Sequence, residues 1–502
     1  KRKRKKNPVP IKKRHMLFDK HLDYFPISND KLLEEITKEI TKHIEDNRKS
    51  RRGVNNEIRQ NEYLITSKIL DALYQGYFSI PKTWVSITLR AKHYSKKEYG
   101  YKNFKKVVDA LKDKDFIKIK LGNEYAGKVT RIFPSDILVA KFKRIGFRWR
   151  YYPPDKKTEV ILVKDKIKID NKLKKVTVPT PNTKQAKQYR ENLIKINNEL
   201  AKHCIALDLD DKALSIIDKK LIENTKKKKK GKFWKEEISH SLNFSNVTLK
   251  RIFSNNSLEI HGRFYHGWWQ TVLKEYRHHI TIDGYKTAEV DFSTIALKLL
   301  YAKEDIVVPD NRDLHDIGLE GSKAYLERAR ELVKEYTYAI INDERGFFRL
   351  GKSELKELKL THQQLQTKVN KYHKPIIKYF GTGIGLSLMY TESLIAEDVM
   401  LFFLKQGVIV LPIHDSFIVR SGYQSSLEAQ MKASFKKIVN TTTNLKIKGP
   451  LLPEHFYSKP KTESGGVIIN AAELWEPMIN YDSKFSIYTK YLSYWHKWNE
   501  RQ

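Results

Sequence analysis

The chain contains very little cysteine, no long apolar run and far fewer acidic than basic residues. Its one cysteine among 502 residues, Cys204, excludes a disulfide framework and a cysteine-based zinc site. No apolar stretch approaches the ~20 residues of a membrane-spanning helix, and no apolar segment follows the charged residues 1–6. From these absences we expect an intracellular, cytoplasmic protein with neither a secretory signal nor a membrane partner.

Basic residues are in large excess. Lysine and arginine total 96 against 59 aspartates and glutamates, which gives a formal net charge of +37. Such an excess favours a polyanionic partner, and nucleic acid ranks ahead of an anionic membrane surface. Hydrophobic residues make up 40% of the chain and aromatic residues 11%, so it can bury real cores. At roughly 150 residues a domain, the length allows about three domains.

Residues 1–55 are predicted to be a basic arm followed by an amphipathic helix. Ile36, Ile40 and Ile44 recur at helical spacing, and Ser28 is the predicted N-cap of that helix. A basic stretch that contains Gly53 and two asparagines then marks the next break.

Residues 56–145 combine two apolar helical patterns with short strands, and a β-hairpin pattern directly follows the second helix. This order is typical of a winged helix, which places one helix in a nucleic-acid groove and a hairpin beside it. Lys102, Lys105 and Lys106, near the start of the second helix, are the predicted nucleic-acid contacts. The alternative is a packing unit with a solvated basic face.

Two segments of the second half place an aspartate between apolar patterns. Asp291 follows a short strand and precedes a leucine-rich helix, and Asp415 lies in a tight polar turn between two apolar strands. A buried aspartate is costly unless it is paired or binds a metal. Two carboxylates at the ends of neighbouring strands can hold two divalent cations for in-line phosphoryl transfer. For either segment taken singly, an aspartate that only caps a turn is the alternative.

Together these segments resemble motifs A and C of the family A polymerase superfamily, which contains bacterial repair-type DNA polymerases and single-subunit phage and mitochondrial RNA polymerases. The run 291–295, D-F-S-T-I, is similar to the D-Y-S-Q-I of motif A. The run 414–417, H-D-S-F, resembles motif C in the H-D-S form of the RNA polymerases. Three further elements in the right order extend the resemblance over about residues 260–420, whereas the first 200 residues match nothing in that family.

The further elements lie before motif A and between motifs A and C. Arg330, Lys334 and Tyr338 reproduce the R-x-x-x-K-x-x-x-F/Y spacing of motif B, which puts them on one helical stripe. The run 313–315, D-L-H, resembles a D-I-H element that precedes motif B. The run 262–263, G-R, with later glutamine and arginine residues, resembles the T-G-R … Q … R approach to motif A.

The resemblance implies a role for each matched residue. The implied catalytic residues and metal ligands are Asp291 and Asp415, with the backbone carbonyl of Phe292 as an extra ligand, for two Mg²⁺ or Mn²⁺ ions. The implied nucleotide-binding residues are Arg330, Lys334, Tyr338, Ser293, Ala296 and His315. The implied nucleic-acid-binding residues of this half are Arg263, Gln270, Arg277 and His414.

The chain departs from the family pattern at two positions expected beside the nucleotide sugar and at the third residue of motif C. Ala296 stands where the DNA polymerases have a glutamate that helps to block the ribose 2′-hydroxyl, and Asn342 stands where motif B ends in tyrosine. Both changes remove bulk, and a roomy site rejects an added hydroxyl poorly, so we expect ribonucleotides to be tolerated. Ser416 replaces the glutamate of the DNA polymerase motif C. The acidic run 208–211 does not make a four-carboxylate exonuclease, so no proofreading is expected.

The predicted fold class is α+β, a right-hand polymerase with a palm, compact fingers and thumb-like helices behind an N-terminal winged-helix-like domain. The predicted divisions are 1–55 (basic arm and helix), 56–145 (winged-helix-like), 146–183 (linker with strands), 184–260 (thumb-like helices), 261–480 (palm and fingers) and 481–502 (aromatic C-terminal helix).

The resulting functional hypothesis is a template-directed polymerase, in particular a primase-polymerase or small replicase of a mobile element. A single-subunit DNA-directed RNA polymerase is the first alternative, favoured by the H-D-S form of motif C. A DNA-binding initiator or regulator without catalysis is the second, from another class of protein. The expected partners are a single-stranded or primer-annealed DNA template and nucleoside triphosphates, with RNA as an optional partner, and the expected state is a monomer.

Overall fold

The structure is a computed structural model that combines helices and strands, which confirms the α+β fold class. No helix within its described residues is long and apolar enough to cross a membrane. The residues that it describes are 20–22, 25–28, 31–50, 53–89, 91, 100–122, 129–154, 158–169, 172–228, 241–309, 312–346, 348–441, 445–448, 461–463, 466–468 and 486–501. The predicted basic arm, residues 1–10, lies outside them.

The N-terminal unit, as described, packs helices against a sheet of order β1-β2-β4-β3. Its elements are β1 (Lys20–His21), α1 (Glu34–Asp46), α2 (Asn56–Phe78), β2 (Val85–Ile87), α3 (Gly100–Asp113), β3 (Ile117–Lys120), β4 (Thr130–Pro134) and α4 (Asp136–Ile145). The apolar faces of α1, α2 and α3 share one core. The helix predicted within residues 1–55 therefore packs with residues 56–145 instead of standing apart from them.

The predicted N-cap of α1 is wrong. The helix begins at Glu34 with Leu33 as its N-cap residue. Ser28 is instead used in tertiary contacts, since its backbone N–H donates to the Asp71 carboxylate (3.0 Å) and its hydroxyl donates to the carbonyl of Tyr151 (3.2 Å). The local spacing predicted the helix correctly, but the predicted N-cap residue makes long-range hydrogen bonds instead of capping the helix.

The rest of the described chain is built from the following elements in order. The strands are β5 (Ile161–Ile169), β6 (Lys172–Val178), β7 (Ile205–Leu207), β8 (Lys250–Phe253), β9 (His261–Tyr265), β10 (Ile280–Ile282), β11 (Tyr285–Phe292), β12 (Leu411–Ile413), β13 (Ser416–Arg420), β14 (Leu445–Lys448), β15 (Lys461–Glu463) and β16 (Gly466–Ile468). The helices are α5 (Lys184–Leu200), α6 (Asp211–Lys228), α7 (Ile295–Ala302), α8 (Lys323–Asn342), α9 (Lys352–Leu358), α10 (His362–Tyr372), α11 (Gly385–Leu404), α12 (Gln424–Val439) and α13 (Ser486–Asn499).

Two sheets organise these elements around one large core. The central sheet has the order β12-β13-β11-β10-β7, and β14 also pairs with β11. The side sheet has the order β6-β5-β8-β9. Residues 146–183, predicted as a linker with strands, supply β5 and β6 to the side sheet. Residues 184–260, predicted as thumb-like helices, supply α5 and α6 but also one strand to each sheet, because their apolar segments are buried in the shared core.

Helix α11 lies against β9 of the side sheet at very short range. A Cβ at Gly262 would lie 2.8 Å from the Ser393 hydroxyl oxygen, and its φ is +66°, so this contact requires glycine. The buried guanidinium of Arg251 bridges the two elements. It donates to the Gly262 carbonyl (2.9 Å), to the Ser393 hydroxyl (2.9 Å) and to the Glu397 carboxylate (2.8 Å).

The C-terminal helix α13 lies within the region that the sequence predicts as an aromatic helix. Trp495 is buried beside Trp149 and Cys204, and its indole N–H donates to the carbonyl of Lys202 (2.8 Å). Trp498 stacks on Tyr151 with ring centroids 5.2 Å apart. Aromatic packing thus holds the end of the chain against residues that follow the N-terminal unit.

Candidate active site

The structure brings Asp291 and Asp415 together at one end of the central sheet. Asp291 lies near the end of β11, and Asp415 lies in the two-residue turn between β12 and β13. The antiparallel ladder pairs Asp291 with Ser416, and the backbone N–H of Phe292 donates to the backbone carbonyl of Asp415 (3.0 Å). Both aspartates are half-buried, whereas Phe292 is fully buried in the core beneath them.

Asp415 lies in a mixed electrostatic environment. Burial raises the pKa of its carboxyl group, its own backbone N–H and the charges of Arg263 and Lys334 oppose that rise, and Glu289 adds to it, so that the pKa stays above its usual value. Arg263 comes from β9 and Lys334 from α8. Basic groups from two separate elements therefore act on the same carboxylate.

Helix α8 carries the three residues of the predicted motif B stripe. Lys334 and Arg330 are exposed, and Tyr338 is half-buried. Burial and the nearby Asp415 raise the pKa of the Tyr338 hydroxyl, and the Lys334 ammonium lies 5.8 Å from the Tyr338 ring centroid. Arg330 is paired with the carboxylate of Asp313. The stripe thus has one end beside Asp415 and the other bound to an acidic residue.

His315 is buried between the stripe and the core. Its exposed fraction is 1%, its ring lies 6.0 Å from the Tyr338 ring, and neither ring nitrogen has a hydrogen-bond partner within the described part of the chain. Burial, aided by the charge of Arg330, lowers the pKa of His315 to about 3. The imidazole is therefore neutral at physiological pH.

The predicted nucleic-acid contacts near the aspartates all engage protein groups. Arg263 is paired with the buried carboxylate of Glu392. The Gln270 amide donates to the carbonyls of Phe264 and Pro412 (3.0 Å each). Arg277 donates to the Val272 carbonyl and to Glu289 (3.3 Å each). Their role in nucleic-acid binding stays a prediction.

His414 adopts a left-handed backbone conformation (φ +58°) in the turn that holds Asp415. Burial and the nearby arginines Arg263 and Arg277 lower the pKa of His414 to about 4, so this ring is neutral too. Its ring lies 5.5 Å from the ring of Tyr265. The strained turn residue thus packs against β9 instead of pointing a charge at Asp415.

The other predicted nucleotide contacts flank Asp291. Ser293 is half-buried just after β11, and Ala296 is buried in α7 as part of the main core. Phe292 is paired with Leu445 of β14 in the same ladder that pairs Asp291 with Lys446. Contacts of Ser293, Ala296 or the Phe292 carbonyl with a nucleotide or a metal stay predictions.

The predicted lysines of α3 differ in their surroundings. All three are exposed, but Lys105 is paired with Asp109 (2.6 Å) and Lys106 with Glu62 (3.3 Å). No ion pair of Lys102 occurs with any residue that the structure describes. The exposed pair of Lys105 and Asp109 is weak, whereas the side chain of Glu62 is only 3% exposed. Lys102 and Lys105 are therefore the more accessible to phosphates.

Sequence reasoning missed two buried glutamates of the site. The Ser416 hydroxyl donates to Glu289 (2.7 Å), which also accepts from Arg277. Glu289 lies two residues before Asp291 in the same strand, and the two-residue period of a strand places both on one face. Glu392 is one of three acidic residues in the largely apolar helix α11. Alternation in β11 could have found the first, and an acidic residue on an apolar helix could have suggested the second.

The two carboxylates fit a divalent cation whose remaining ligands are substrate phosphates or water. No group of three or more His, Cys, Asp or Glu side chains suited to a metal occurs within the described residues. Mg²⁺ is commonly held by one or two carboxylates together with substrate phosphates instead of by a complete protein cage. Asp291 in β11 and Asp415 in the turn before the neighbouring strand β13, both half-buried, supply that number of carboxylates.

Comparisons with known proteins give little. No protein-family model matches the chain, and no curated protein matches it. Among solved structures, it is similar to the POL domain of Pol1 from M. smegmatis in complex with DNA primer-template and dNTP. That match has 9% sequence identity and a TM-score of 0.27, and covers 85% of this chain and 67% of the other. A likeness at this level assigns neither fold family nor function.

Proposed function

We propose that the chain is a template-directed nucleic-acid polymerase, a nucleotidyltransferase of the right-hand type and a divergent member of the family A superfamily. The observation that carries the proposal is the convergence of three separate segments at Asp415. Asp291 lies beside it across a strand pair, and the charge of Lys334 in α8 acts on its pKa. A chain in which each aspartate only capped a turn would not need a basic helix stripe at the same place.

The side chains divide the proposed chemistry among them. Asp291 and Asp415 would hold two Mg²⁺ or Mn²⁺ ions, with the Phe292 carbonyl as a further ligand. Bound there, the ions would activate the attacking hydroxyl and stabilise the leaving pyrophosphate. Lys334 and Arg330 would bind the triphosphate through charge-assisted hydrogen bonds, for which Arg330 must leave Asp313. Tyr338 would place its ring against the incoming base.

The N-terminal unit supports a nucleic-acid partner. In it α3 is followed by β3 and β4, and β4 lies between β2 and β3 in the sheet. This is the order of helices and strands of a winged helix, in which the helix before the hairpin enters a groove. Lys102, Lys105 and Lys106 are on that helix. We propose that the unit binds the template duplex or an initiation site.

The finer proposal is a primase-polymerase or small replicase of a mobile element, acting as a monomer within the cell, with relaxed sugar selectivity and without proofreading. It is favoured by the small side chains at positions 296 and 342. Asn342 has no ring, and its amide donates to the Tyr338 carbonyl (2.7 Å) at the end of α8. A single-subunit RNA polymerase is the first alternative, and a non-catalytic DNA-binding initiator is the second.

The test is nucleotide incorporation by wild type and by Asp415→Asn on a single-stranded template, with and without primer, with Mg²⁺ or Mn²⁺ and with either sugar. Loss of one of two metal carboxylates should reduce incorporation by about 10³-fold or more, equal to ~4 kcal/mol. DNA binding should persist or tighten, because the change removes a negative charge from a basic site. Asp398→Asn, which removes an acidic residue paired with Lys437 on α12, is the matched control.

The outcomes separate the candidate functions. Incorporation by Asp415→Asn at the wild-type rate would refute the metal assignment. Binding of DNA without incorporation by wild type under all conditions would favour the initiator. Products from ribonucleotides alone, without primer, would favour the RNA polymerase, and products from deoxynucleotides alone would refute the relaxed sugar selectivity.

A further inference from the structure

The hairpin formed by β5 and β6 extends well beyond the side sheet that anchors it. The ladder between β5 and β8 covers Ile161 to Val163, whereas the ladder between β5 and β6 continues to Ile169. At about 3.3 Å per residue, the six residues after Val163 span roughly 20 Å. We call residues 164–169 and 172–178 the ribbon. Within the described ladders, its outer part pairs only with itself.

One face of the ribbon is basic. Lys164, Lys166 and Lys168 alternate along β5 and so point to one face, where the ladder places Lys175 opposite Lys166 and Leu173 opposite Lys168. Lys166, Lys168 and Lys175 are exposed, and Leu173 is 61% exposed. The described residues of the ribbon include six lysines against one aspartate. Like charges opposite each other destabilise a strand pair, so this face favours an anionic partner.

The base of the ribbon is fixed to the side sheet. The Lys175 ammonium donates to the Ser254 hydroxyl (3.1 Å), and the backbone N–H of Asn256 donates to the Lys164 carbonyl (3.2 Å). These contacts join the ribbon to the turn between β8 and β9. The ribbon therefore begins from a defined position.

The sheet face that carries these lysines also carries Arg263 at the candidate active site, with apolar residues between them. The ladders pair Arg263 with Ile252 and Ile252 with Leu162, so these three residues share a face of the side sheet. Lys164 and Lys168 continue that face along β5. Two strand spacings and six residues separate Arg263 from Lys168, a distance on the order of 20 Å, or about six base pairs at ~3.4 Å each.

We propose that the ribbon binds duplex nucleic acid about six base pairs from the candidate active site. A two-stranded β-ribbon fits the major groove, and lysines that neutralise phosphates supply non-specific affinity. Residues 161–178 contain no aromatic side chain, whereas single-strand binding relies on stacking against aromatic rings. Duplex is therefore favoured over single strands. The proposal needs a nucleic-acid partner but not nucleotidyl transfer.

The test compares two double variants of equal charge in the full chain. Lys166→Gln/Lys168→Gln changes the ribbon. Lys432→Gln/Lys436→Gln changes exposed lysines of α12, whose Phe435 packs on Phe292, on the sheet face opposite Asp291. Binding to a duplex of about 20 base pairs, roughly three times the proposed span, is measured against salt concentration.

Loss of two phosphate contacts should lower the slope of log K against log salt by about 1.8, equivalent to up to ~60-fold weaker binding near 0.1 M salt. The control should keep the wild-type slope, and a single strand of equal length should lose less affinity than the duplex does. An unchanged slope in the ribbon variant, an equal loss in the control or an equal loss on the single strand would overturn the proposal.

Two further measurements separate this proposal from others. The changed side chains are exposed, so the ribbon variant should keep the wild-type melting temperature, and a large drop would attribute the effect to folding and count against the proposal. Asp415→Asn should bind the duplex with the wild-type slope even if the chain proves inactive. Ribbon-dependent binding to anionic vesicles without ribbon-dependent duplex binding would identify a membrane as the partner and overturn the proposal.

Discussion

Arg251→Met should strongly destabilise the core that the central sheet and the side sheet share. The Arg251 side chain is 1% exposed and makes three hydrogen bonds of 2.8–2.9 Å to β9 and α11. Its guanidinium also lies 4.0 Å from the ring centroid of Tyr189 in α5. Methionine retains most of the side-chain volume but leaves the 10%-exposed Glu397 carboxylate without its cation. Glu397 then keeps only the amide of Asn192 (2.9 Å) as a described partner.

The magnitude follows from the uncompensated charge. Removing one partner of a buried ion pair costs about 3–5 kcal/mol. For a folded unit of about 150–250 residues, each kcal/mol lowers the melting temperature by roughly 2–4 °C. We therefore expect a fall of roughly 6–20 °C, measured by fluorescence of the buried Trp268 and Trp269. Adding Glu397→Gln removes the orphaned charge and keeps an acceptor for Asn192, so the double variant should recover part of the loss.

Arg251→Lys is the conservative control. Lysine keeps the charge but lacks the planar guanidinium that reaches three partners. The melting temperature of Arg251→Lys should therefore lie between those of wild type and Arg251→Met. A shift below about 3 °C for Arg251→Met, or a double variant less stable than the single one, would refute the argument. The same variants report on the candidate site, because α11 also carries Glu392, the partner of Arg263.

Three further predictions concern single residues. Lys334→Ala should raise the KM for nucleotides about tenfold or more, with DNA affinity unchanged, because a charge-assisted hydrogen bond contributes ~1.5–3 kcal/mol; unaltered nucleotide kinetics would remove Lys334 from the site. Glu289→Ala should lower the free energy of unfolding by about 1–3 kcal/mol, since it removes the buried carboxylate that accepts from the Ser416 hydroxyl (2.7 Å) and from Arg277 (3.3 Å). Ser416 keeps a longer bond to the Ile413 carbonyl (3.2 Å) and Arg277 keeps its bond to the Val272 carbonyl. Glu289→Gln should recover part of the loss, and equal denaturation midpoints for all three proteins would contradict this. Burial opposes protonation of His203, but hydrogen bonds to Asp283 and Glu199 outweigh it and raise its pKa to about 9. At most about 3 kcal/mol of stability, present below pH ~6.5, should therefore be lost as the pH rises through about 9. A His203→Gln variant with the same pH dependence of stability in urea titrations would argue against this assignment.

Sequence patterns predicted the local elements of the N-terminal unit well. Helices with apolar residues at spacings of three and four are present at residues 56–78 and 100–113, and strands follow the second one. Periodicity succeeds for the second helix because it buries one stripe, whereas the first helix is buried on all sides from Ile69 to Tyr77. The N-cap at Ser28 failed because its hydroxyl bonds to Tyr151, a contact that no local pattern encodes.

The sequence also identified the aspartates of the candidate site, but not the groups around them. Asp291 and Asp415 stand between apolar segments, so their cost of burial is evident from the residues alone. Glu289 and Glu392 were missed because a glutamate in a strand or helix is ordinary until its burial is known. The ribbon falls in the region predicted as a linker with strands, and its anchoring was not predicted, since alternating lysines look the same in a solvated strand and in an anchored ribbon.

By itself, the amino-acid sequence determined the basic charge, the main helical and strand patterns and the order of the acidic and basic motifs, since these depend on residue type and on spacings within a few residues. Only the tertiary structure decided that Asp291 pairs with Ser416 across 125 positions, that Glu392 is buried against Arg263 and that the ribbon projects from the sheet of β9. Register between distant strands is set by how their apolar faces fill a shared core, which is a property of the whole packed chain and of no segment alone.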